Sequence, residues 1–242
     1  MRILITNDDA MYASQLVPLV RACRALGEVD VVVPEFEQSG KSHGIELHKA
    51  FRVTEHVLAP DVTATAVDST PADCVRFAIL GRKKKYDLVI SGINRGFNIG
   101  SDIMYSGTVA AAMEAGALGV KAVALSTSPE YYAGAVDHVQ QVFDYLREND
   151  LLSIHGIYNI NIPPQPKGFR ITRQGGPYYS DDFRNTEGDW YMPCGKCVYE
   201  DRGDMKLDTD AVIHGWISIM PLTVSRADIF MYEKLQYLNG DL

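Results

Sequence analysis

Short apolar runs alternate with amphipathic segments over roughly the first two thirds of the chain. The apolar runs have the length of β-strands and are rich in β-branched residues, whereas the segments between them repeat apolar positions every three to four residues, as helices do. The predicted strands are Arg2–Thr6, Val29–Val33, Ala64–Val67, Asp87–Ser91, Ala122–Ser126 and Tyr158–Ile162. The predicted helices are Gln15–Leu26, Pro71 to about Leu80, Thr108–Ala117 and Tyr131–Glu148.

Strands this apolar are typical of a sheet that is buried on both faces, and helices between consecutive strands allow the strands to run parallel. We therefore predict an α/β fold, a three-layer, Rossmann-like, mostly parallel sheet with a C-terminal β-hairpin arm. The pattern changes after residue 162, where Pro163–Pro166 forms a stiff spacer and Asp181–Asp210 is polar and poorly periodic. This change predicts an α/β core over 1–162, which would carry the chemistry, and C-terminal hairpins over 163–242 that contribute to oligomerisation.

One segment of the C-terminal part, Ala211–Leu222, alternates like an antiparallel strand but has no obvious partner within hairpin distance. An unpaired strand with an apolar face is an aggregation hazard unless another element covers it. We therefore expect this segment to pair across a subunit boundary, in a protein that is at least a dimer.

Composition and charge exclude several classes of protein. The 242 residues are 46% hydrophobic and 22% charged, which is typical of a globular chain, and the formal net charge is −8. A protein this acidic gains little binding free energy from counterion release at a phosphate backbone, so we expect no nucleic acid duplex as partner. A small anion is still compatible with the charge, because a helix N-terminus supplies local positive charge. The longest mostly apolar stretch, Val109–Leu125, is interrupted by Glu114 and Lys121, so we expect no membrane segment. The four cysteines and the early acidic residues favour a cytoplasmic protein.

The ends of three predicted strands carry residues that suit a hard cation. Asp8 and Asp9 follow the first strand, and Ser39 and Asn94 follow the second and fourth. The carboxyl ends of parallel strands meet at one edge of a sheet, and Mg²⁺ or Mn²⁺ accepts carboxylate, hydroxyl and amide oxygens together. Taken alone, the two aspartates are explained as well by helix capping. The two further oxygen donors favour a divalent metal site, with one ion per subunit.

A second candidate site lies at the start of the helix over Thr108–Ala117. Free N–H groups and hydroxyls at a helix N-terminus can bind a phosphate-sized anion, with the Thr108 hydroxyl aimed at the phosphate. The local residues alone are better explained as an N-cap, but Gly92, Gly96 and Gly100 would let the backbone approach a ligand closely and so favour the anion site. The spacing matches neither a Walker loop nor a Rossmann fingerprint. The candidate phosphate-binding residues are Ser106, Gly107 and Thr108.

Five blocks of the sequence resemble the SurE family, the survival proteins that act as metal-dependent nucleotidases. The blocks occur in the family's order over about residues 1–125, and the long glycine-containing block is the most specific of them. They are Thr6-Asn7-Asp8-Asp9, Gln38-Ser39-Gly40, Thr70–Val75, Ser91–Gly100 and Tyr105–Ala112, with weaker extensions at Asn159–Pro163 and Ser218–Leu222.

The resemblance implies metal ligands and phosphate-binding residues at positions of this chain that match the family's motifs. It also implies hydrolysis of nucleoside 5′- or 3′-monophosphates, a homodimer or homotetramer, and C-terminal hairpins exchanged between subunits. The metal ligands fall on Asp8, Asp9, Ser39 and Asn94, and the phosphate-binding residues fall on Ser106, Gly107, Thr108 and, by resemblance alone, Asn98.

Two positions depart from the family, because Ala10 and Ser69 stand where it usually has glycine. If position 10 requires a positive φ, alanine there costs roughly 1–2 kcal/mol. Neither departure removes a ligand, but both bear on the level of activity or the shape of the substrate site.

Together these residues predict a divalent-metal-dependent phosphomonoesterase that acts on nucleoside monophosphates. Its catalytic residues would be Asp8, Asp9 and Asn98, and either aspartate could orient or deprotonate the attacking water. Two alternatives are open. A phosphatase with an aspartyl-phosphate intermediate usually has Asp-x-Asp, whereas the acids here are adjacent. A receiver-like, Mg²⁺-binding signalling module needs an acceptor aspartate at another strand end, where this chain has Glu35.

Overall fold

The computed structural model describes residues 1–239 of the chain. Its strands are β1 (Arg2–Thr6), β2 (Glu28–Pro34), β3 (Val53–Ala59), β4 (Val62–Val67), β5 (Leu88–Arg95), β6 (Lys121–Thr127), β7 (Ile157–Ile162), β8 (Phe169–Ile171), β9 (Tyr179–Glu187), β10 (Trp190–Cys197) and β11 (Ile217–Pro221). Its α-helices are α1 (Leu16–Cys23), α2 (Pro71–Arg76), α3 (Gly107–Ala117), α4 (Val139–Glu148), α5 (Leu151–Ile154), α6 (Asp208–Ile213) and α7 (Ile229–Leu235).

Nine of these strands form one sheet in the order β3-β4-β2-β1-β5-β6-β7-β11-β8. The strands from β4 to β7 run parallel to their neighbours, whereas β3 runs antiparallel to β4, and β11 antiparallel to β7. The predicted mostly parallel α/β sheet is therefore confirmed. β9 and β10 form a separate antiparallel hairpin.

Helices cover both faces of the sheet and complete the three layers. Along β1, Ile3 and Ile5 belong to the core that contains residues of α1 and α4, and Leu4 belongs to the core that contains residues of α2 and α3. Successive residues of a strand point to opposite faces, so a strand covered on both sides is apolar throughout. This burial accounts for the continuous apolar runs in the sequence.

The start of α2 agrees with its sequence signals, whereas the start of α4 does not. At α2, Thr70 accepts a hydrogen bond from the backbone N–H of Asp73 over 3.1 Å, and Pro71 occupies the first turn, as predicted. The predicted helix over Tyr131–Glu148 is too long, because its first part consists of two short 3₁₀ turns and α4 begins only at Val139. Gly134 lies between those turns, where a continuous helix would incur the conformational cost of glycine.

The strand predicted over Ala211–Leu222 is present only in its second half, and the prediction that it pairs across a subunit boundary is wrong. Its first residues end α6, and its later residues form β11 inside the central sheet, between β7 and β8. Gly215 has φ +83°, and the left-handed residue just after a helix is a common stop signal that interrupts the apparent alternation. The strand's partner is Ile157–Ile162, far outside hairpin distance in the sequence. No second subunit is needed to pair β11.

Strand β3 was missed because it is polar: it is an edge strand with few buried side chains, and Val57 on it is 77% exposed. The predicted C-terminal hairpin is confirmed as β9 and β10, which lie mostly in the polar, poorly periodic stretch and expose large side chains such as Phe183 and Trp190. The division at residue 162 stays a prediction, although β8 and β11, which follow it, complete the central sheet. In the described chain, no helix has both the length and the apolar character to cross a membrane.

Candidate active site

The predicted site segments meet at the carboxyl edge of the central sheet. β1 lies between β2 and β5, with Thr6 in register with Ser91, so the loops that follow these strands converge. A cavity of about 320 Å³ opens there. Residues on its wall that the sequence did not indicate include Glu37, Arg95 and Tyr105. The predicted residues on its wall are Asp8, Asp9, Ser39, Asn94, Asn98 and Ser106.

Asp8 is held by the start of α3. The backbone N–H of Thr108 donates to Asp8 Oδ2 over 3.2 Å, and the Thr108 hydroxyl donates to Oδ1. Gly107 permits this close approach, because a Cβ there would lie 3.0 Å from the Cβ of Asp8. Thr108 is completely buried and lies behind Asp8. The structure therefore does not bring Thr108 and Gly107 to the cavity wall with the other predicted residues.

The two adjacent aspartates carry charge that the protein compensates poorly. Burial raises the pKa of Asp8, and the hydrogen bonds from Thr108 offset part of that effect. Burial and then the neighbouring charge of Asp8 raise the pKa of Asp9 to about 6. The backbone N–H of Arg95 donates to Asp9 Oδ2 over 3.1 Å. A cation bound between these carboxylates would favour their ionised forms and lower both pKa values.

The neutral residues of the candidate metal site present oxygen atoms to the cavity. The side-chain amide nitrogen of Asn94 donates to the carbonyl of Gly96 over 2.8 Å, which leaves the amide oxygen available to accept. The hydroxyl of Ser39 donates to Glu37 over 2.7 Å, so its lone pairs are also available. Both oxygens are therefore available to accept, as a metal ligand requires.

The donor set matches a hard divalent cation. Among residues 1–239, no group of three or more His, Cys, Asp and Glu side chains is placed to hold a metal ion. The candidate site combines two carboxylates with one amide and one hydroxyl oxygen, and it contains neither sulfur nor imidazole. Mg²⁺ and Mn²⁺ accept such oxygen ligands and retain several waters, whereas structural zinc prefers cysteine and histidine. The residues present therefore fit the metal that the sequence predicted.

Ser106 both caps helix α3 and lies on the cavity wall. Its hydroxyl accepts a hydrogen bond from the backbone N–H of Val109 over 3.1 Å, which makes it the N-cap of α3. The same residue lines the cavity. The N-cap, which the sequence offered as the simpler explanation, is thus present, and phosphate binding by Ser106 stays a prediction.

Asn98 is fixed by buried polar side chains that the sequence analysis missed. Its backbone N–H donates to Asn161 Oδ1, and its backbone carbonyl accepts from the side-chain amides of Asn159 and Asn161, each over 2.8 Å. The side-chain nitrogen of Asn98 donates to Ser126 Oγ, also over 2.8 Å. Asparagines inside an otherwise apolar strand, at Asn159 and Asn161, were the available signal.

Comparison with known proteins establishes the family. A family model described as "Survival protein SurE" matches residues 3–181. The chain belongs to the SurE family. A relative named "5′-nucleotidase SurE" from Desulfitobacterium hafniense is 39% identical over 255 residues, covering 100% of this chain and 97% of the relative. One of the same name from Natranaerobius thermophilus is 35% identical over 262 residues, covering all of both chains.

The fold agrees with that of a solved family member. The crystal structure of SurE protein from Aquifex aeolicus matches with a TM-score of 0.74 and 29% identity, covering 99% of this chain and 100% of that chain. The family resemblance predicted from sequence is therefore confirmed, and the relatives match essentially the whole chain, including the regions where the sequence blocks were weaker.

The two departures from the SurE pattern have different structural consequences. Ala10 has φ +68°, so this position does adopt the left-handed conformation that glycine tolerates best. Its carbonyl accepts a hydrogen bond from the Asn7 side chain over 3.0 Å, which holds the turn in place. Ser69 makes use of its side chain, because its hydroxyl donates to Asp73 Oδ2 over 2.6 Å. Alanine is thus a strained substitute, and serine gains a hydrogen bond.

Proposed function

We propose that this chain is a divalent-metal-dependent phosphomonoesterase that hydrolyses nucleoside 5′-monophosphates, and also 3′-monophosphates, to nucleoside and phosphate. The observation that carries the proposal is the cavity at the strand ends, where two adjacent, poorly compensated carboxylates face neutral oxygen donors. The relatives that match the whole chain are named 5′-nucleotidases, which supports a nucleotidase hydrolase.

The metal would be held by Asp8, Asp9, Ser39 and Asn94, and Mg²⁺ and Mn²⁺ both suit this set. When bound, a divalent cation polarises a phosphoryl oxygen and lowers the pKa of water. Asp8 is fixed by Thr108, which suits it to hold the ion. Asp9 is less buried and has its hydrogen bond from Arg95 on Oδ2 alone. Its other oxygen can orient the attacking water and accept its proton, so Asp9 is the better placed base.

The phosphate group would lie between Asn98 and the N-terminus of α3. Both Asn98 and Ser106 line the cavity, and a helix N-terminus stabilises negative charge as the ester bond breaks. Gly107 and Thr108 contribute to this region differently from the sequence prediction. Gly107 allows the helix to approach Asp8, and the Thr108 hydroxyl serves Asp8.

Both alternative functions are less well supported by the site. A receiver-like module needs an acceptor aspartate at a second strand end, but Glu35 after β2 accepts a hydrogen bond from Arg52 over 2.5 Å and lies outside the cavity wall. An aspartyl-phosphate enzyme needs a nucleophile that is free to attack, and Asp8 is not free, because both its oxygens accept hydrogen bonds. Within residues 1–239, Asp9 keeps one oxygen without a hydrogen bond, so phosphoprotein trapping tests it as the nucleophile. The receiver-like alternative also gives no role to the glycine-containing block Ser91–Gly100.

Subunit contacts would involve the C-terminal part, residues 163–242, while residues 1–162 supply the catalytic core. Helix α7 exposes Phe230 and Tyr232, and the β9–β10 hairpin exposes Phe183 and Trp190, to an extent unusual for a monomer. These surfaces support a homodimer or homotetramer. All four cysteines are free thiols, which favours the cytoplasm.

A screen of phosphomonoesters tests the proposed function. Purified protein is incubated with AMP, 3′-AMP and ribose 5-phosphate, with Mg²⁺, Mn²⁺ or EDTA, and released phosphate is measured. The proposal requires metal-dependent release from the nucleotides. Acid quenching with ³²P-labelled nucleotide then looks for label on the protein. A stoichiometric, base-labile phosphoprotein would instead support the aspartyl-phosphate alternative.

A further inference from the structure

Asn98 is held by side chains from two neighbouring strands, its backbone by β7 and its side-chain amide by β6. Asn161 of β7 accepts from its N–H and donates to its carbonyl, and Asn159, two residues earlier on the same strand, donates to the same carbonyl. Ser126 of β6 holds its side-chain amide. The side chains of two strands therefore fix both peptide groups and the amide of one cavity residue.

These polar side chains occupy a position where the fold alone would favour apolar ones. Ser126 is in register with Asn161 on β7, which is in register with Ser218 on β11. All three residues have no exposed surface. A buried polar group is costly unless it is hydrogen bonded, and in this row the hydrogen bonds of Ser126 and Asn161 go to Asn98.

The contact with Ser126 holds one end of the Asn98 amide, which leaves the other end free. In the observed orientation the amide nitrogen is bonded to Ser126. A serine hydroxyl can accept or donate, so it can equally hold the amide oxygen once the amide turns over. In that second orientation the amide nitrogen of Asn98 is free to donate to a phosphate oxygen.

We propose that Ser126 and Asn161 are positioning residues for phosphate binding: Asn161 fixes the backbone of Asn98, and Ser126 orients its amide in either direction. The inference rests on the proposed function, because it assigns Asn98 to the phosphate site. Neither residue touches the substrate itself. Their effect on the reaction passes through Asn98, and the metal ligands are not involved.

Ser218 provides a matched control for Ser126. Both serines are completely buried, on either side of Asn161 in the sheet, and each makes a hydrogen bond of 2.8 Å, Ser126 with Asn98 and Ser218 with Thr172. Alanine at either position removes one buried hydroxyl and one hydrogen bond. Stability should therefore fall by similar amounts in Ser126→Ala and Ser218→Ala, whereas only Ser126→Ala should change the site.

Steady-state kinetics with AMP and inhibition by inorganic phosphate provide the readout. In Ser126→Ala, KM for AMP and the phosphate inhibition constant should each rise about tenfold, with kcat changed less than about twofold. In Ser218→Ala, all three constants should equal those of the parent. Mn²⁺ affinity by calorimetry should be unchanged in both. Equal KM values in the two variants would overturn the role of Ser126.

Asn161→Asp tests the backbone contact by a change of nearly equal size. The carboxylate still accepts from the N–H of Asn98 but places a second oxygen against its carbonyl, where the parent has a donor. Displacement of Asn98 should lower kcat/KM about 100-fold while Mn²⁺ affinity is retained. Parent-like kinetics in this variant would overturn the role of Asn161.

Asn98→Ala separates failure of the inference from failure of the proposed function. If Asn98→Ala has the parent's KM for AMP, the assignment of Asn98 to the phosphate site is wrong and the inference fails with it. If Asn98→Ala loses phosphate binding but Ser126→Ala and Asn161→Asp do not, only the positioning role is wrong. The inference predicts that all three variants weaken phosphate binding and that Ser218→Ala does not.

Discussion

Thr108 binds Asp8 through two groups at once, since its backbone N–H and its hydroxyl both donate to the Asp8 carboxylate. This contact joins the N-terminus of α3 to the end of β1, the two places where the sequence had predicted separate sites for phosphate and metal. The structure makes them parts of one arrangement, in which the helix start stabilises the carboxylate of Asp8, a proposed metal ligand.

Thr108→Val should therefore weaken metal binding. Valine keeps the shape of threonine but removes a hydrogen bond to a buried carboxylate, which raises the pKa of Asp8 further. We expect Mn²⁺ affinity to fall about tenfold, since a hydrogen bond to a charged group contributes roughly 1.5–3 kcal/mol. Calorimetric titration at pH 7.5 measures it. Thr108→Ser, which keeps the hydroxyl, should bind Mn²⁺ as the parent does. Parent-like Mn²⁺ affinity together with weaker phosphate inhibition in Thr108→Val would instead support the phosphate contact predicted from sequence.

Ala10→Gly should stabilise the protein. At φ +68° the alanine Cβ is strained, and glycine relieves that strain at some cost in the entropy of the unfolded chain. We expect a gain of about 1 kcal/mol in the free energy of unfolding, or a Tm higher by roughly 2–4 °C. Ala22→Gly, in the last turn of α1, is the control and should lower stability by up to about 1 kcal/mol. A decrease in Tm for both variants would show that position 10 is not strained.

The raised pKa of Asp9 predicts how the stability of the metal-free protein depends on pH. Folding raises this pKa to about 6, whereas the unfolded chain titrates near its ordinary value of about 4. The folded state therefore binds more protons between these values, so the free energy of unfolding falls as pH rises from about 4 to about 6. Thermal unfolding in EDTA should show this contribution as the difference between the parent and Asp9→Asn. Parallel curves for the two proteins would contradict the raised pKa.

Much of the site was predictable because it lies at strand ends. Consecutive apolar runs are enough to place β1, β2 and β5 in a parallel sheet, and the residues that follow them must then converge. Asp8, Asp9, Ser39 and Asn94 could be found this way without knowledge of any side-chain contact. Their orientation, including the hydrogen bond that leaves the Asn94 oxygen available, depends on Gly96 and required the structure.

The parts that could not be predicted depend on contacts between residues distant in sequence. The partners of Asn98 lie on strands that follow it by 28 to 63 residues, and nothing in a local pattern links them. The prediction for Ala211–Leu222 failed for a related reason. Its strand partner, β7, lies farther away in the sequence than a hairpin connection allows, and the helix end at Gly215 resembles part of an alternating pattern. Thr108 was assigned to phosphate because sequence spacing shows that a helix starts there but not which group its hydroxyl contacts.

The Mn²⁺ dependence of AMP hydrolysis, measured for the parent, Asp8→Asn and Asp9→Asn, tests the central claim most directly. Each variant removes one carboxylate charge from the cavity at nearly constant side-chain size, and circular dichroism serves as the check that the fold is retained. The account predicts that the parent releases phosphate in a saturable, Mn²⁺-dependent manner, that EDTA abolishes this, and that both variants lose turnover by at least about 100-fold even at millimolar Mn²⁺. Parent-like hydrolysis of AMP by either variant, or hydrolysis by the parent that EDTA leaves unchanged, would contradict it.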